Sequence, residues 1–63
     1  MKAIIEIDMS GAAFDDCPAL EASYVLRKVE KSLIHASVSG KPATGAVLDS
    51  NGNTCGTFRI DED

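Results

Sequence analysis

From Ala3 to Met9 the chain alternates. Ala3, Ile5, Ile7 and Met9 fall on one side of an extended backbone, and Ile4, Glu6 and Asp8 on the other. A period of two carried by β-branched residues predicts a half-buried strand, β1 over residues 3–9, stopped by Ser10 and Gly11. Residues 10–18 predict a loop in which Phe14 folds back as a core plug beside Asp15 and Asp16. The period then changes. At about 100° per residue, Ala22, Val25, Leu26, Val29, Leu33 and Ala36 fall in one stripe. Arg27, Lys28 and Lys31 lie off it, with Tyr24 and His35 on the far side. This predicts an amphipathic helix, α1 over residues 18–36. Asp16 or Cys17 is its N-cap, and Pro18 takes the first helical position, where a missing N–H costs nothing. Asp15, Asp16 and Glu21 suit the positive end of the helix dipole, and the basic residues gather towards the other end. Gly40 and Pro42 stop the helix.

Two further strand-like runs, β2 over residues 44–49 and β3 over residues 54–61, flank Ser50-Asn51-Gly52-Asn53. An Asn-Gly pair between such runs is a strong hairpin signal. In β3, Phe58 and Ile60 face one way, and Cys55, Thr57, Arg59 and Asp61 the other. In β2, Ala46 and Leu48 are assigned to the core. The order β1-α1-β2-β3 predicts one α+β domain spanning residues 1–63. A helix laid across the sheet returns the chain to its starting end, so β2 runs parallel to β1. Placing β3 between them, in the order 1-3-2, makes every neighbouring pair antiparallel. The helix covers one face. The expected core is Ile5, Ile7, Met9, Phe14, Val25, Leu26, Val29, Leu33, Leu48, Phe58 and Ile60.

Size narrows the function. A 63-residue chain buries only about 60 % of its unfolded surface. It has little room for a deep substrate pocket and the shell of residues that would hold one rigid, so an enzyme is not expected. With 44 % hydrophobic and 25 % charged residues, the composition is that of a soluble globular protein. Ten acids against six bases give a net charge of −4, which opposes direct binding to nucleic acid or to anionic membranes. No apolar run approaches the ~20 residues of a membrane span. Glu6 arrives too early for a signal-peptide core. The expected location is the cytoplasm, with Cys17 and Cys55 as free thiols.

The charge is unevenly placed. Residues 1–16 carry Lys2 against Glu6, Asp8, Asp15 and Asp16, and residues 37–63 carry Lys41 and Arg59 against Asp49, Asp61, Glu62 and Asp63. The helix is close to neutral. On the alternation above, Glu6, Asp8, Asp49 and Asp61 share the bare face of the sheet with Arg59. Strands lie about 4.8 Å apart and same-face residues about 6.8 Å apart, roughly the spacing of successive backbone phosphates. Such an array, with Asp15, Asp16, Glu62 and Asp63 at its margins, can present itself to a basic groove as false DNA. A plain solvated face that keeps a small protein soluble and guards its edges has the same composition.

Other motifs carry less. Asp49-Ser50-Asn51-Gly52-Asn53 resembles the start of a calcium loop, but glycine stands fourth instead of sixth and Ile60 occupies the twelfth position, where that loop needs glutamate. A turn is the better reading. His35 has no second histidine and reads as a surface residue at the helix C-terminus. Cys17, at a helix N-terminus, has no second catalytic group near it in sequence and reads as a cap or small filler. Tyr24 is either incidental or a contact hot spot. Glu6 and Asp8 are paired carboxylates without the enclosure that separates an acid from a base. No metal or cofactor is implied.

The segments Ile4–Asp16, Leu26–Val29 and Leu48–Ile60 resemble a family of very small phage and prophage proteins. Typical members open with a strand, continue with Asn-Ala-Ala-Phe and acids, then one helix, and end in Asp-x-Asn-Gly-Asn-x-x-Gly-x-x-x-Ile. That ending is matched here by Asp49, Asn51, Gly52, Asn53, Gly56 and Ile60. The chain departs from the pattern at Ser10, Gly11 and Cys17. The resemblance covers nearly the whole chain and implies a β-α-β-β fold. Small acidic proteins of this build are similar to anti-CRISPR inhibitors, some of which mimic the charge of DNA. The resemblance therefore implies a partner with a basic DNA-binding surface, the type I CRISPR-Cas surveillance complex of the host bacterial cell. The chain would act there as a monomer or weak dimer. The alternative is a phage accessory module for protein–protein interaction with no anti-defence role.

Overall fold

The computed structural model describes residues 1–40 and 42–61; Lys41, Glu62 and Asp63 lie outside the described residues. β1 spans Lys2–Ile7, a short 3₁₀ turn spans Ala12–Phe14, α1 spans Pro18–Ser39, β2 spans Thr44–Leu48 and β3 spans Thr54–Asp61. The three strands form an antiparallel sheet in the order β1-β3-β2. This is the expected α+β architecture.

Cys17 is the N-cap residue of α1 and its carbonyl accepts the Glu21 N–H at 3.0 Å, but its side chain makes no capping bond. The helix runs three residues beyond Ala36, because nothing in Ser37-Val38-Ser39 breaks it. The Ser37 and Ser39 hydroxyls bond back to the Ile34 and Ala36 carbonyls. Gly40 ends it in the left-handed conformation (φ 73°), with its N–H on the Ala36 carbonyl.

Phe14 is fully packed against the helix, as a plug. The core is Phe14, Val25, Val29, Val47, Cys55 and Phe58, bordered by Ile7, Ala13, Ala22 and Leu33. Five residues expected inside, Ile5, Met9, Leu26, Leu48 and Ile60, are instead 39 to 45 % exposed. One helix is only about 10 Å wide, whereas three strands at about 4.8 Å spacing make a broader sheet. The helix packs towards β2 and the 12–14 turn, so the β1 half of that face is only partly covered.

The face of β2 also differs from expectation. Gly45 is paired with Phe58, and Val47 with Gly56. Paired residues point to the same face, so Gly45 and Val47, not Ala46 and Leu48, look towards the helix. A Cβ on Gly45 would stand 3.0 Å from Phe58 Cε1; the missing side chain makes room for the ring. Beyond Val47 the register slips, because Leu48 pairs with Thr54. Cys55 is the extra residue of this bulge. It is buried in the core, not on the bare face where alternation placed it.

Candidate functional site: an acidic pole at the hairpin end

The C-terminal end of β1, the N-terminal end of α1 and the β2–β3 hairpin meet at one end of the molecule. Each brings acids. Asp8 follows β1, Asp15 and Asp16 precede the helix, Glu21 lies in its first turn, and Asp49 opens the hairpin. These are five of the eight acids among the described residues.

Asp49 is 3 % exposed. Its Oδ1 accepts the N–H groups of Asn51 (2.9 Å) and Asn53 (3.0 Å), while its carbonyl accepts the Gly52 N–H. Aspartate makes such turns because its short side chain reaches backbone donors two to four residues on. Gly52 has φ 83°, and among the described residues only glycines have a positive φ. Three residues, 50–52, are thus bracketed by an Asp49 N–H bond to the Asn53 carbonyl. This is a three-residue loop with glycine in the left-handed position. Asp49 therefore holds the turn from inside and does not belong to the bare face.

Glu21, which the sequence offered only as a dipole partner, pins the hairpin to the helix. Its carboxylate accepts the Ser50 N–H and the Ser50 hydroxyl, both at 2.8 Å. Lys28 donates to the Asp49 carbonyl at 3.4 Å and sits 4.7 Å from the Tyr24 ring centre. Asp8 accepts the Ser10 N–H at 2.9 Å, and bonding to Ser10 holds its carboxyl below the usual carboxylate range. Burial raises the Cys55 thiol pKa, and the charges of Asp49, Glu21 and Asp8 raise it further. Three acids of the pole thus act on one buried thiol.

That thiol gives a pH prediction. Cys55 holds its proton more tightly folded than unfolded. Its contribution to stability is complete below the unfolded thiol pKa, ordinarily ~8.5, and is lost as pH rises through the higher folded value. Unfolding midpoints in urea should fall on going from pH 8 to pH 10.5, and Cys55→Ala should flatten that fall. An equal fall in both proteins would place the alkaline sensitivity elsewhere.

The bare face of the sheet is not an acidic array. It presents Lys2, Ile4 and Glu6 from β1, Thr57, Arg59 and Asp61 from β3, and Thr44 and Ala46 from β2. Arg59 Nε contacts the Asp61 carboxylate at 3.0 and 3.3 Å, and Lys2 is the register partner of Asp61. Asp49 is turned inward, so of the four acids expected to converge, Glu6 and Asp8 remain adjacent. Asp61 stands at the opposite end of the sheet from the hairpin, and the expected contributions of Glu62 and Asp63 fall outside the described residues. Asp15 and Asp16 are exposed at the pole.

Cys17 is exposed and Cys55 buried, and both are free thiols. Among the described residues no three His, Cys, Asp or Glu side chains are grouped to hold a metal ion, and no helix is long and apolar enough to cross a membrane. No protein-family model, curated protein or solved structure matches this chain.

Proposed function

We propose that the chain is a non-catalytic inhibitor that occupies a Lys/Arg-rich DNA-binding groove as a charge mimic of DNA. The type I CRISPR-Cas surveillance complex is the target that the family resemblance implies. The observation that supports this reading is the gathering of Asp8, Asp15, Asp16, Glu21 and Asp49 at one end, while the outer face of the sheet is nearly balanced in charge. The contact surface is accordingly the pole, with exposed Asp8, Asp15 and Asp16 and neighbouring Glu6. Glu21 and Asp49 hold the hairpin that backs it. Charge complementarity of this kind speeds association and sets specificity, and it weakens as salt rises.

The test is a competition between the protein and labelled target duplex for a purified type I effector. Wild type should displace the duplex, less so at 0.5 M salt. Asp15→Lys with Asp16→Lys, and separately Glu6→Lys with Asp8→Lys, should lose displacement while keeping the far-UV circular dichroism of wild type. Asp61→Lys, at the far end, should displace nearly as well as wild type. A wild-type protein that never displaces duplex from any type I effector would remove the CRISPR assignment.

The alternative, an accessory interaction module, has its own observation. Leu20, Tyr24, Ile34 and Val38 are exposed on the outer side of α1, around Arg27 and Lys31. If Arg27→Glu with Lys31→Glu abolished partner binding and the pole variants did not, that helix face would be the working surface.

A further inference from the structure

The uncovered half of the sheet ends in an open strand edge. The Asp8 N–H bonds to the Cys55 carbonyl at 2.7 Å, and Asp8 continues the β1–β3 register. In antiparallel pairing the direction of backbone bonds alternates along the strand. Lys2, Ile4, Glu6 and Asp8 therefore turn their N–H and C=O groups towards β3. Ala3, Ile5 and Ile7 turn theirs outward, where the sheet gives them no partner. On this edge, on the helix side, lies Ile5, with Ile60 one strand further in, both partly exposed although the sequence pattern marks each as core. The other edge is less suited to pairing. β2 is one residue shorter, its ladder to β3 is interrupted by the bulge at Cys55, and its Thr44 N–H is already bonded to the Pro42 carbonyl.

We propose that two copies of this chain pair antiparallel through β1, about a two-fold axis at Ile5, to form a continuous six-stranded sheet. Three features of this register favour a second copy as the occupant. Ile5 meets Ile5 of the other copy and Ala3 meets Ile7, so all three outward-facing residues of each strand find backbone partners. On the bare face, Lys2 comes opposite Asp8 and Ile4 opposite Glu6, so opposite charges meet at both ends and no like charges are paired. On the helix face, the half-exposed Ile5 side chains of the two copies meet at the axis, which removes apolar surface from water. The two acidic poles then point in opposite directions, and Glu6 and Asp8 are common to the pole and the seam.

Sedimentation equilibrium from 5 µM to 1 mM, with amide hydrogen exchange at both ends of that range, tests this. The expected result is a monomer–dimer equilibrium in which protection of the Ala3, Ile5 and Ile7 N–H groups rises with concentration. Lys2→Glu should weaken dimerisation about tenfold, because two attractive cross-strand pairs become repulsive. Adding Asp8→Lys to it should restore the affinity. Ile5→Lys, on the partly exposed shelf, should give a folded monomer. A chain that stays monomeric to 1 mM overturns the proposal. So does a dimer that Ile5→Lys and Lys2→Glu leave unchanged, or one in which the three amides gain no protection.

Discussion

Phe58→Ala is expected to leave most of the chain unfolded at 25 °C. A 63-residue domain has a total stability of about 3–9 kcal/mol at ordinary values per residue. Truncating a buried phenylalanine costs about 3–5 kcal/mol, from lost transfer energy and the cavity left behind. Phe58 is 6 % exposed, on the central strand, with register partners Ile5 on one side and Gly45 on the other. Gly45 has no side chain to move into the vacancy, so the cavity stays open. Leu26→Ala is the matched control. That side chain is 45 % exposed and should cost about 1 kcal/mol or less. Urea titrations followed by far-UV circular dichroism compare the two. If both variants shifted the midpoint equally, the helix would lie closer to β1 than the fold places it.

The same pair of residues shows what the sequence makes legible. Helical spacing correctly placed Ala22, Val25, Val29, Leu33 and Ala36 on the sheet side, and Pro18 and Gly40 bounded the helix because each acts through its own backbone. The strand order followed from the helical crossover and the Asn51-Gly52 turn. Leu26 sits at the margin of the helical stripe, and its burial depends on how much sheet lies beneath that margin. A hydrophobic pattern reports a preference for burial and carries no information on the width of the layer available to satisfy it. β2 posed a different problem. Ala46, Val47 and Leu48 are all apolar, so alternation could not choose a face. Pairing chose it, through the fit of Phe58 over Gly45.

The candidate site was legible as composition and misplaced as geometry. Period-two counting carried Asp49 and Cys55 onto the bare face because it assumes an unbroken ladder. Asp49 instead turns back to the donors of its own loop, and the bulge swings Cys55 into the core. Asp15 and Asp16 kept their expected place before the helix. The bonds from Glu21 to Ser50 join residues distant in sequence, and no local pattern marks them. Gly56 did carry a readable signal. A glycine inside a β-rich run marks a bulge or a close backbone approach, and here it marks both.

Gly56→Ala is therefore expected to be as damaging as the loss of Phe58, for a different reason. The backbone at Gly56 is not in the left-handed region, so the cost is not conformational. It comes from contact. A Cβ at this position would overlap the Glu6 carbonyl oxygen and stand 3.1 Å from the Ile7 Cα. Both are backbone atoms of β1, held by the β1–β3 ladder, and cannot rotate away as a flexible side chain would. Retreat the other way is blocked, because Gly56 is also paired with Val47 of β2. Either β1 separates from β3 near Ile7 or the bulge at Cys55 is rebuilt. Overpacking in a well-packed interior costs about 1–3 kcal/mol and occasionally more, and a backbone collision belongs at or above the top of that range. The measurement is native-state hydrogen exchange at Glu6 and Asp8, whose N–H groups point to β3, alongside the urea midpoint. Protection there should collapse while that of Val25 and Val29 in α1 falls less, provided some folded protein remains. Unchanged protection at Glu6 and Asp8 with a wild-type midpoint would mean that β1 and β3 do not approach each other closely at the bulge.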